Sequence, residues 1–123
     1  MNHFKVNELT QDIAQAASDK KARDILIMDL TNISPVTDHF VICSAGSTTQ
    51  VKAIADHIEE KLAAKGIKPL HKEGYRESHW ILLDYGSCVA HIFVEEDRQF
   101  YQLERLWNDA KAIVFETTAQ DVV

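Results

Sequence analysis

The sequence predicts a mixed α/β domain, a five-stranded sheet with about three helices. Two observations carry that reading. Apolar residues recur at helical spacing in three stretches, with short strand-like apolar runs between them. Two of those runs, 80–85 and 88–94, are joined by Gly86-Ser87, a pair suited to a tight hairpin turn.

The elements follow in order. Val6, Leu9, Ile13, Ala16 and Ala17 mark a first helix that runs to about Lys20. Residues 24–30 read as a buried strand, 31–38 as a loop carrying Pro35, and 40–44 as a second strand that Gly46 ends. Ser47-Thr48-Thr49-Gln50 is a capping box, in which the serine caps the helix and the glutamine reaches back. Behind it Val51, Ile54, Ala55, Ile58 and Leu62 make one helical stripe, with Lys52, Asp56, Glu59 and Glu60 on the wet side. Gly66 closes that helix. Residues 69–75 form a weaker, polar strand suited to a sheet edge. After the hairpin, Glu95, Glu96 and Asp97 open a last helix, where the helix dipole favours negative charge. Its stripe is Phe100, Leu103, Trp107 and Ala110. Residues 1–115 are expected to form one domain, and 116–123 to fray.

The chain has 123 residues, enough for a core that needs no disulfide or metal. No apolar run approaches the roughly 18 residues of a membrane span, and no secretory leader pattern opens the chain. A cytoplasmic location is therefore expected. Cys43 and Cys88 lie inside apolar runs and read as buried thiols, inert as nucleophiles. The formal charge of −6 argues against extensive nucleic-acid contact, which needs clustered Lys and Arg. It suits a plain soluble surface or a basic protein partner.

The hairpin sorts side chains into faces. A two-residue turn pairs Asp84 with Val89, Leu82 with His91 and Trp80 with Phe93, and paired residues share a face. Ile81, Leu83, Tyr85, Cys88, Ala90 and Ile92 then form an aliphatic side suited to the helices. Trp80, Leu82, Asp84, Val89, His91 and Phe93 form an aromatic side with two polar groups. Three helices about 10 Å across cannot cover both faces of five strands spaced about 4.8 Å apart. One face is expected to stay open, and an aromatic patch holding a charge is what binding surfaces look like.

Catalytic readings are weaker. Asp84 and His91 are diagonal neighbours that could act as an acid–base pair, but a hydrogen-bonded pair orienting a contact surface explains them as well. Gly46-Ser47 resembles the turn that cradles phosphates in nucleotidyltransferases. Those enzymes also need carboxylates on adjacent strands for Mg²⁺, and the following strands offer only Asp84. His71 and His79 fit no metal-ligand spacing and read as surface residues. No cofactor is expected.

An ordered series of motifs resembles the ribosomal silencing factor, or Iojap, family. It runs through Ala22-x-Asp24-Ile25, Asp29-Leu30, Thr37-Asp38-x-Phe40-Val41-Ile42-Cys43-Ser44, Ser47, Gln50-Val51, Glu73-Gly74, Trp80-Ile81-x-Leu83-Asp84-Tyr85-Gly86, His91-Ile92-Phe93, Arg98-x-x-Tyr101 and Leu103-Glu104-x-Leu106-Trp107. The match spans about residues 20–110. Each piece is short, and the series in order is specific. The resemblance implies a nucleotidyltransferase-like fold without the catalytic carboxylates, and a translational repressor that is no enzyme. It implies binding to the large ribosomal subunit through its fourteenth protein, which blocks joining of the small subunit, and a homodimer off the ribosome. The family's tryptophan strand and His-x-Phe strand fall on Trp80, His91 and Phe93. Trp80, Leu82 and Phe93 would be apolar anchors, with Asp84, His91 and Tyr85 supplying polar contacts. The alternative is a reduced nucleotidyltransferase-like enzyme or nucleotide-binding protein using Gly46, Ser47 and Asp84. A purely self-associating module is a third reading.

Overall fold

The structure, a computed structural model, describes residues 6–107 and 109–115. The expected tail 116–123 lies outside the described residues. Three α-helices, one 3-10 turn and six strands follow one another as α1 (Glu8–Asp19), β1 (Arg23–Asp29), β2 (His39–Ala45), α2 (Thr48–Ala63), β3 (His71–Glu73), β4 (Trp80–Asp84), β5 (Cys88–Val94), α3 (Glu95–Tyr101), the 3-10 turn Leu103–Trp107 and β6 (Lys111–Val114). The strands form one mixed sheet in the order β3-β4-β5-β2-β1-β6. Only β2 and β5 are parallel neighbours, and the other adjacent pairs are antiparallel.

Local chemistry explains most of these elements. Asn7 caps α1, its Oδ1 accepting from the Thr10 N–H at 2.8 Å. Ser47 caps α2, its Oγ accepting from the Gln50 N–H at 3.2 Å. The Gln50 side chain reaches back as expected, but to the Gly46 N–H at 3.4 Å. Its amide also donates to the carbonyls of Lys20 and Lys21, both at 3.3 Å. The start of α2 is thereby stapled to the end of α1. Val51, Ile54, Ala55, Ile58 and Leu62 are all buried. Together with α1 they cover the aliphatic side of the sheet and make the main core. Gly66, at φ +78, turns the chain out of α2.

The hairpin register is the predicted one, with Trp80 opposite Phe93, Leu82 opposite His91 and Asp84 opposite Val89. β3 is a short exposed edge strand, as its polar character suggests.

Two expectations fail at the C-terminal end. The sheet has six strands, not five, because Lys111–Val114 pairs with β1. The last helix is also shorter than its apolar spacing predicts. α3 stops at Gln102, which adopts a left-handed φ of 48, and the chain continues as a 3-10 turn. Phe100 consequently points into solvent at 80% exposure, while Leu103, Trp107 and Ala110 pack together on the sheet. The physical reason is topological. β6 runs antiparallel to β1 and so parallel to β5, which obliges the connection between them to cross a face of the sheet. It crosses the one opposite α1 and α2. There Met28, Leu30, Phe40, Ile42, Val89 and Phe93 form a second buried cluster. The face expected to stay open is therefore open only over β4 and β3.

Candidate functional site

The uncovered part of the second face is built by β4 and β5 from below and by α3 from the side. Its centre is Trp80. The indole stacks on Phe93 with ring centroids 4.6 Å apart and meets the Tyr101 ring at 5.1 Å. The indole Nε1–H donates to His91 Nδ1 at 3.1 Å. That bond assigns the remaining proton of the neutral ring to Nε2, which finds no acceptor among the described residues. Phe40 stands edge-on to His91 at 4.5 Å and to Trp107 at 6.1 Å. Burial lowers the His91 pKa to about 4, because a charged imidazole would be stranded among rings.

The residues predicted for the site are not equally accessible. Trp80, Leu82 and Asp84 are half-buried and line the surface. Val89, His91 and Phe93 are buried beneath them. Tyr85 lies on the opposite side, in the core under α1 and α2. Its hydroxyl has no hydrogen-bond partner among the described residues, and burial raises its pKa. Asp84 and His91 share the face without forming an acid–base pair. The Asp84 Oδ1 accepts from the Gly86 N–H at 2.8 Å in the hairpin turn, and His91 is engaged by Trp80. On the edge side, His71 sits opposite Asp84 in the register and Glu73 opposite Leu82, with His71 and Glu73 paired to each other. The rim of the patch is thus polar and largely acidic.

Several contributors were not singled out from spacing. Tyr101 is half exposed, and its ring joins Trp80 to Phe100, whose centroid is 5.0 Å away. Leu106 is 73% exposed on the 3-10 turn. A signal was present: Tyr101 directly follows Phe100 and lies about 100° around a helix from it, so it borders the same predicted stripe.

The other candidate chemistries take structural roles. Ser47 is a helix cap, and the Arg23 guanidinium crowds Gly46, where an added Cβ would come within 3.1 Å of Nη2. Arg23 itself pairs with Glu95 at 3.2 Å. Among the described residues no group of three His, Cys, Asp or Glu side chains could hold a metal ion. Cys43 and Cys88 are buried, and burial pushes both thiols up to about 12, far from the thiolate that reacts. His71 and His79 are exposed, as expected.

The family described as "Ribosomal silencing factor during starvation" matches residues 3–122. The chain is 44% identical over 97 residues to the ribosomal silencing factor RsfS of Bacillus subtilis, covering 79% of this chain and 82% of that protein. It is 33% identical over 101 residues to the chloroplastic protein Iojap of Zea mays, covering 82% of this chain and 44% of that longer protein. Among solved structures, a crystal structure from Bacillus halodurans superposes with a TM-score of 0.78 at 35% identity, covering 88% of this chain and 98% of the other. With a match along nearly its whole length and relatives this similar, the chain belongs to the ribosomal silencing factor family.

Proposed function

We infer that this protein represses translation by docking on the large ribosomal subunit and keeping the small subunit from joining. The observation that carries the reading is the half-exposed Trp80, flanked by Leu82 and Tyr101 on the part of the sheet that no element among the described residues covers. Aromatic anchors of this kind, rimmed by polar groups, dominate binding energy at protein interfaces. Family membership supplies the partner class, and the names of the relatives point the same way. One of them, from Mus musculus, is called a mitochondrial assembly protein of the ribosomal large subunit and is 32% identical over 91 residues, covering 40% of that protein.

The direct partner is the fourteenth protein of the large subunit, a contact made with little nucleic acid. Trp80 and Leu82 enter the interface, and Asp84 faces its basic groups. His91 and Phe93 hold Trp80 from beneath, and Tyr85 supports β4 from the helical side. The same face closes a homodimer when the cytoplasmic protein is off the ribosome. The fold is nucleotidyltransferase-like with the carboxylates missing, and its action is steric, not catalytic.

Sedimentation with separated ribosomal subunits tests this. The protein should travel with large subunits alone and lower the yield of joined ribosomes when small subunits are added. Trp80→Ala should weaken that binding by on the order of 2 kcal/mol. A folded Trp80→Ala protein that binds like the wild type would remove this face from the proposal. Absence of binding to either subunit would remove the function.

A further inference from the structure

The segment crossing the second sheet face has little burial of its own. Neither α3 nor the 3-10 turn contains a fully buried residue. The two also meet at a break, the left-handed Gln102. One side chain spans that break. Arg98, in the last turn of α3, is only 12% exposed. Its Nε donates to Glu104 Oε2 in the 3-10 turn at 3.2 Å. Its Nη1 donates to the carbonyl oxygen of Asp24 at 2.7 Å and to Ser44 Oγ at 3.4 Å. Asp24 occupies the irregularity in β1, at φ 49, and Ser44 lies near the end of β2. A single guanidinium therefore ties both halves of the crossing segment to two central strands. The second oxygen of Glu104 is buried without a partner among the described residues, so that carboxylate depends on Arg98 for compensation.

We propose that Arg98 is a positioning residue for the docking face: it fixes the angle at which the 3-10 turn lies across the sheet and the placement of Tyr101 against Trp80. The proposal rests on the reading of that face as the ribosome contact. The neighbouring groups explain why arginine is required. Glu104 is met at Nε, and Asp24 and Ser44 both at Nη1, so the acceptors are spread over two nitrogens of one planar fork, positions that the single nitrogen of a lysine ammonium cannot occupy together. Arg98 also bridges elements that periodicity alone would have merged into one helix.

The chain reports on this directly, because its two tryptophans, Trp80 and Trp107, both pack on the face in question. Arg98→Ala, Arg98→Lys and the wild type are compared by acrylamide quenching, far-UV circular dichroism and sedimentation with purified large subunits. Arg98→Ala should show stronger tryptophan quenching with an unchanged far-UV spectrum, and about tenfold weaker binding. Arg98→Lys should shift both in the same direction by less. Wild-type quenching in Arg98→Ala overturns the proposal. So does a quenching change that comes only with loss of the far-UV signal, since that is general unfolding. If Arg98→Ala does not fold, Arg98→Lys decides by the same criteria. If the wild type itself fails to bind large subunits, the docking reading falls, while raised quenching still supports the positioning role and unchanged quenching still overturns it.

Discussion

His91 sits under the patch as a neutral imidazole, and its neighbours explain both its tautomer and its pH behaviour. Its folded pKa is about 4, against about 6.5 in an unfolded chain. Between those values the unfolded chain takes up a proton that the folded one refuses. Stability should therefore fall as pH falls from about 6.5 to 4, by on the order of 3 kcal/mol from this residue. Above that window His91 adds no slope. Carboxylates titrate nearby, so the measurement is the difference in denaturant midpoints between wild type and His91→Phe across the window. Equal slopes would refute the assignment. Gly74 offers a second test. It takes φ +80, and an added Cβ would lie 2.0 Å from the Trp80 carbonyl oxygen. Gly74→Ala should cost on the order of 2 kcal/mol in thermal or urea unfolding, with the start of β4 displaced. A variant as stable as the wild type would show that this backbone approach is not tight.

The elements differ in how firmly they are held. β2 and β5 are buried along their whole length at the centre of the sheet. Among the described residues β6 pairs on one side only, with β1, and it is reached through the 3-10 turn. Trp107 packs that turn against the sheet, edge-on to Phe40. Truncation to Trp107→Ala should cost on the order of 2 kcal/mol. It should speed amide exchange in β6 while β2 and β5 stay protected. Uniformly faster exchange would mean that the crossing segment and the sheet unfold as one unit. The hairpin shows the opposite case. Its register was legible because the turn joins adjacent residues and the side-chain period is two. Leu103, Trp107 and Ala110 were legible as apolar positions but not as part of a crossing. Their spacing suits a helix, and only pairing of Lys111–Val114 with β1 shows that the chain must leave the helical path.

At the scale of the molecule, the net charge of −6 and the acidic rim around Trp80 and Leu82 suit a basic partner. Binding to large subunits should weaken as salt is raised towards about 0.5 M, where exposed charges are screened beyond about 4 Å. An affinity indifferent to salt would assign the contact to its apolar centre alone. The sequence by itself determined the stripes of the first two helices, the cap at Ser47, the hairpin and the two faces that its side chains form. All of these depend on neighbours within a few residues, where periodicity and turn chemistry act. The tertiary structure decided the rest. It placed the sixth strand beside β1, turned Phe100 outward by routing the chain across the sheet, and brought Arg98 to Asp24 and Ser44. Those outcomes depend on segments far apart in the chain meeting across the sheet, and no local pattern encodes which of several compatible partners a side chain will find.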